Sequence, residues 1–203
     1  MRFVLFLSLI PNFVFCAQTS EISYLTSAFK QIAATISAKQ DVKKKGDRTT
    51  IIAKKIHELI NKNRMEHGLV TFAWDDTLAK AARNHSEDMV RRNYFDHKSP
   101  EGHDFMWRYQ QVGFDGSVRV GNYIYYGAEN IHMGWTFSKI YYTNDIETGR
   151  DRLSLDAIAQ IAVNDWMNSS GHRKNILTPH WRREGIGVVI SDNGNVLVTQ
   201  NFC

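Results

Sequence analysis

Three residues carry most of the chemistry this sequence offers: His97 in Asp-His-Lys-Ser-Pro, Glu129 in Gly-Ala-Glu-Asn-Ile, and His172 in Asn-Ser-Ser-Gly-His-Arg-Lys-Asn-Ile-Leu. Two neutral imidazoles and a carboxylate can hold a zinc ion and leave a fourth position for water, and distant loops can assemble such a set. Without metal, the same groups can exchange protons near neutral pH. Spacing alone does not bring them together. Residues of these types more commonly stand as exposed loop histidines and a surface or capping glutamate. Ser169 and Ser170 adjoin His172 as candidate nucleophiles, with no third residue in view to orient the pair. Gly171 reads as a helix C-cap, and either His172 merely follows it or the cap aims the imidazole into a pocket. The sequence has no G-x-S-x-G elbow, Walker loop, dinucleotide fingerprint or C-x-x-C pair. His-Glu-Leu-Ile-Asn at 57–61 puts Asn61 where a zinc-binding helix needs its second histidine, which excludes that motif.

The elements that must position these residues follow from periodicity. Ile52, Ile56, Leu59, Ile60 and Asn63 mark a helix that stops near Gly68. Asp75 or Asp76 caps a second, whose inward stripe is Leu78, Ala82, His85 and Met89. His85 therefore reads as a hydrogen-bonded core residue. The loop that follows carries His97 and His103, and residues 110–134 read as irregular. Trp135 to Arg152 reads as an exposed insertion without a clear period. Ser154 caps a helix bearing Leu155, Ile158, Ile161, Ala162 and Trp166. Two β-rich runs joined through Asn193-Gly194 predict a closing hairpin with a tight primed turn. Helices early, strands late and no βαβ repeat indicate an α+β fold.

A chain of 203 residues, 43% hydrophobic, supports one core with extensions. Its net charge of +4 is too small for the basic stripe of a nucleic-acid binder. The start has Arg2, an apolar run to Phe15 and small residues near Cys16 and Ala17. This is the layout of a signal peptide over residues 1–17, cleaved after Cys16 or Ala17. A lipid on Cys16 or an uncleaved anchor is the alternative, and either would be the route to a membrane. Residues 18–50 read as a weak amphipathic helix followed by a charged, solvated linker, and the folded domain as 51–203. Two cysteines make no disulfide framework.

Taken in order, Phe72 to Gly102, Tyr-Gly-Ala-Glu-Asn-Ile at 126–131, Trp-Met-Asn-Ser-Ser-Gly-His-Arg-Lys-Asn-Ile-Leu at 166–177 and the closing hairpin resemble the motifs of the CAP superfamily. That superfamily comprises the cysteine-rich secretory, antigen 5 and pathogenesis-related 1 proteins, also called SCP-like domains, here in prokaryotic form. The resemblance implies a three-layer α-β-α sandwich with a C-terminal antiparallel hairpin, and a cavity lined by His97, Glu129 and His172. By the same likeness, the family's second cavity glutamate falls on Ser169, whose hydroxyl adds no charge to a metal site. Zinc is the metal the resemblance would place on His97 and His172 with Glu129. The leading expectation is a protein secreted or held in the cell envelope that binds a small or lipid ligand, or an extracellular protein, without established catalysis. A metal-assisted hydrolase using the same three residues is the alternative, and a structural surface module is a third.

Overall fold

The computed structural model describes residues 14–203. In chain order these form α1 (Val14–Glu66), β1 (Ala73–Trp74), α2 (Asp76–Arg92), α3 (Phe105–Gln111), β2 (Val118–Val120), β3 (Tyr123–Tyr125) and β4 (Ala128–Trp135). Then follow β5 (Phe137–Thr143), β6 (Ile146–Arg152), α4 (Leu155–Asn168), α5 (Ser170–Ile176), β7 (Arg183–Ile190) and β8 (Asn195–Phe202). The expected leader lies for the most part outside the described residues. The chain divides into two compact units, Met1–Lys44 and Lys45–Cys203. In the first, the described residues belong to α1. The second holds the rest of α1 and every other element.

The charged stretch read as a linker is helical, which corrects that expectation. Lys, Gln, Arg and Asp carry no helix-breaking geometry, and no proline interrupts them. The hydroxyls of Thr49 and Thr50 donate back to the Gly46 carbonyl, Thr49 is buried, and Lys45 pairs with Asp192 at 2.9 Å. The compact unit thus begins six residues before Ile51.

Four strands form one sheet in the order β1-β7-β8-β4, parallel at β1/β7 and antiparallel elsewhere. Alternation along β7 and β8 builds the layers. On one face Ile186, Val188, Ile190, Val196, Val198 and Phe202 join Ile52, Ile56 and Ile60 of α1 and Ile158, Ala162 and Trp166 of α4 in the main core. The other face takes α2. There Gly185 and Gly187 let the helix backbone approach so closely that a Cβ on either would stand 2.0 Å from a main-chain nitrogen of Ala79 or Arg83. Ser86 seals that contact with hydrogen bonds to the Gly187 carbonyl and Thr199. This is the α-β-α sandwich.

Several local expectations change. Residues 118–125 form the β2–β3 hairpin, and 128–135 form β4, fully paired with β8 from Ala128/Phe202 to Trp135/Asn195. They read as irregular because Glu129, Asn130 and His132 put polar groups on both faces of β4 and erase its alternation. The 135–152 insertion holds the β5–β6 hairpin. Its turn residues Asn144 and Asp145 have φ of 50° and 62°, the two positive values a primed turn requires. The β7–β8 hairpin instead closes through Ser191–Gly194, where Gly194 alone has positive φ.

Arg64, fully buried, fastens the end of α1 to three other segments. Its guanidinium donates to the carbonyls of Val70 (2.8 Å), Ile176 (2.6 Å), Thr178 (3.1 Å) and Trp181 (3.4 Å), and lies 3.7 Å from the Phe72 ring centre. Burial lowers its pKa to about 10, which still leaves it charged at neutral pH.

Candidate functional site

Glu129 is the second residue of β4, and its carboxylate points to the α2 side, almost wholly buried. An unpaired carboxylate there would be strongly unfavourable, so its partners matter. Oε1 lies 3.0 Å from His97 Nδ1 and 3.9 Å from His85 Nε2. Oε2 accepts from Arg108 at 2.6 Å. The Asn201 amide, in the orientation that satisfies both its ends, donates to Oε2 at 3.2 Å and accepts from the Ala82 N–H.

Local structure explains each arrival. Asp75 caps α2 by accepting from the Thr77 and Leu78 N–H groups, which fixes the face that carries His85. Asn93, left-handed at φ 54°, ends α2 and turns the chain into the loop with His97. Asp104 caps α3, and Arg108 reaches back from that helix to bond the His97 and His103 carbonyls as well as Glu129. His85 bonds the Asp96 carbonyl at 3.0 Å, as a core histidine should. Its position beside Glu129 also makes it part of the site.

His172 arrives from the other side, and not by a glycine cap. Helix α4 ends at Asn168, Ser169 has extended backbone, and Gly171 and His172 lie in the first turn of α5. The Gly171 reading is therefore corrected: two helices meet at Ser169. Asn130 and Asn175 bind α5 to β4. Asn130 donates to the His172 carbonyl at 3.3 Å, while Asn175 donates to Asn130 Oδ1 at 2.9 Å and to the Glu129 carbonyl at 3.3 Å. This accounts for the Arg-Lys-Asn-Ile run after the histidine, since Asn175 clamps the strand and Ile176 enters the core. The His97 and His172 rings end 6.4 Å apart, centre to centre. His97 is 49% exposed and His172 partly buried, so the pair forms an open shelf above the closed Glu129 cluster. Burial, and then the neighbouring His97, lower the His172 pKa. Ser169 is half-buried and gives no side-chain capping bond.

The donor set does not suit a metal as arranged. Both Glu129 oxygens are engaged, one by a guanidinium whose charge would oppose a cation. Among the described residues, no three His, Cys, Asp or Glu side chains converge on one ion position. A cavity of about 370 Å³ lies alongside, walled by His85, Tyr94, His103, Trp107 and Arg108; His97, Glu129 and His172 do not line it. The chemistry and that cavity share two walls but are not the same place.

Sequence reasoning missed several residues. Arg108 neutralises Glu129. Fully buried Glu184 bonds His57 Nδ1 and Gln200 Nε2, each at 2.5 Å, and Gln200 in turn accepts from Asn130. Burial raises the Glu184 pKa. The histidine of the discarded 57–61 motif thus finds a carboxylate far away in sequence. His132, on the opposite face of β4 from Glu129, lies 3.3 Å from Asp165. Only recognition of β4 as a strand would have placed it, by its parity with Asn130.

Comparison with known proteins agrees with the architecture. A model of the CAP family, the cysteine-rich secretory protein family, matches residues 57–202. YkwD, an uncharacterized protein of Bacillus subtilis, is 34% identical over 149 residues, 73% of this chain and 46% of its own length. The membrane protein YlbC of the same organism is 32% identical over 153 residues, covering 75% and 34%. The chain thus spans less than half the length of these two relatives. An extracellular SCP-domain protein of Bacillus anthracis superposes with a TM-score of 0.53 at 29% identity, over 76% of this chain and 40% of that one. An outer surface protein of Borrelia burgdorferi shares the fold, with TM-score 0.56 at 17% identity over 76% and 92%. These structural neighbours are extracellular or surface proteins, and no described helix is long and apolar enough to cross a membrane. The chain belongs to the cysteine-rich secretory protein family, the CAP superfamily.

Proposed function

We propose that this CAP domain works outside the cytoplasm as a binding module, taking a small or lipid-like ligand or an extracellular protein at the shelf of His97 and His172, without catalysing a reaction. One observation carries the preference for binding over hydrolysis. Glu129 is held by Arg108 on one oxygen and His97 on the other, so this carboxylate is not free to take a proton from water. The hydroxyl at 169 stands where a second carboxylate would be needed, and no hydrogen bond activates Ser169 or Ser170 toward His172. The extracellular placement of the Bacillus anthracis protein and the signal-like start support the location.

The test is calorimetric titration of the purified protein with zinc, beside fluorescent fatty-acid and sterol binding and a casein-hydrolysis assay. Each is run on wild type, His97→Ala and His172→Ala, with circular dichroism to check folding. Saturable ligand binding, weakened in both variants and without turnover, is the expected result. Zinc-dependent turnover abolished in folded His172→Ala would replace this reading with the hydrolase.

A further inference from the structure

On the α4 side of β4, away from Glu129, a cavity of about 200 Å³ is walled by Trp135, Phe137, Leu153, Ile158 and Ile161, with His132 and Asp165 among its lining. The Trp135 and Phe137 rings lie 5.0 Å apart at 44°, so one wall is aromatic. Trp135 and Ile161 remain substantially exposed, which leaves the pocket an apolar mouth. His132 is only 7% exposed.

The orientation of that imidazole gives the pocket its selectivity. Asp165 Oδ2, 3.3 Å from Nδ1, favours the proton on that nitrogen and leaves Nε2 as an acceptor. Nε2 has no hydrogen-bond partner among the described residues. It lies over Gly134, where an added Cβ would come within 2.8 Å of it. Nε2 is not one of the fully buried polar atoms left without a partner, so it meets solvent at the pocket, and a donor brought by a ligand can take that place. Burial of the ring and, after it, the neighbouring His172 lower its pKa against the opposing effect of Asp165, and this lowering favours the neutral, accepting form. Asp165, more than half exposed, repels anions.

We propose that this pocket is a second binding site, which takes a small neutral aromatic molecule bearing one hydroxyl or N–H donor. The ring stacks against Trp135 and Phe137, and the donor bonds His132 Nε2. Aromatic contact supplies affinity, and the single hydrogen bond supplies selection. A fatty-acid carboxylate is the wrong head group beside Asp165, so this pocket and the His97 and His172 shelf take different ligands.

Phenol and toluene have the same size and shape and differ in the donor, which makes them the probes. Titration of the isotope-labelled full chain by NMR at neutral pH should show saturable phenol binding that shifts the His132 and Trp135 signals. Toluene should bind several-fold to about tenfold more weakly, the worth of one hydrogen bond. Gly134→Ala, which crowds Nε2 on an edge strand, should remove the difference between the two. Trp135→Ala, a change at an exposed position, should weaken both. His97→Ala, on the Glu129 side of β4, should leave phenol affinity unchanged, which separates this site from the shelf. Equal affinity for phenol and toluene in wild type, a phenol preference that survives Gly134→Ala, or no saturable binding to the folded protein would each overturn the proposal.

Discussion

Around the buried Glu129 carboxylate stand one guanidinium and two imidazoles, and the guanidinium is the nearest, at 2.6 Å. Arg108 is therefore its main counter-charge. Replacing it by methionine leaves the charge uncompensated and should cost about 3–5 kcal/mol. Denaturation by urea would measure this, and adding Glu129→Gln to Arg108→Met should restore most of the loss. A single variant as stable as wild type would mean that His97 and Asn201 suffice. The three residues of the GAENI, DHKSP and SSGH motifs were legible in sequence because their flanking residues carry the family likeness. Arg108 was not, because an arginine on a short helix has no local mark of the strand it will face. His85 was read as inward from its stripe alone, and the structure adds the carboxylate that the stripe could not show.

Among the elements, those with one clean apolar face were visible in advance. Leu78, Ala82, His85 and Met89 of α2 and Ile158, Ala162 and Trp166 of α4 recur at helical spacing and are all buried. Strand β4 was hidden by buried polar groups on both its faces, and β5–β6 by exposure of most of its residues. The contact of α2 with β7 depends on two missing side chains. Gly187→Ala would drive a methyl into the Arg83 backbone and should destabilise the domain by about 1–3 kcal/mol or more. Gly149→Ala on β6 meets nothing closer than 3.9 Å and should change the melting midpoint little. Comparable midpoints for the two variants would show that α2 can retreat from the sheet.

For the whole molecule, His85, His132 and His172 share one tendency: burial lowers the pKa of each below its ordinary value. The unfolded chain therefore binds protons that the folded chain resists as pH falls through the ordinary histidine range. Through these three groups unfolding takes up protons and stability rises with pH, while the raised pKa of buried Glu184 works in the opposite sense. The stability these groups contribute is complete above the ordinary histidine pKa and is lost below it. The urea midpoint should fall as pH is lowered from about 7 to about 5, the three imidazoles together outweighing the opposing carboxyl of Glu184. A flat midpoint across that window would count against neutral buried imidazoles.

Arg64 has a further consequence for the dynamics of the shelf. A seven-residue helix such as α5 ordinarily frays, and its amides would exchange with solvent by small local openings. Here the last carbonyl of α5, at Ile176, belongs to the same guanidinium that holds Val70, Thr178 and Trp181. Loosening α5 withdraws an acceptor from a cation already taken out of water, and the remaining three carbonyls cannot close the gap. Hydrogen exchange at the α5 amides should therefore track global unfolding, and the imidazole of His172 stands on a support as rigid as the core.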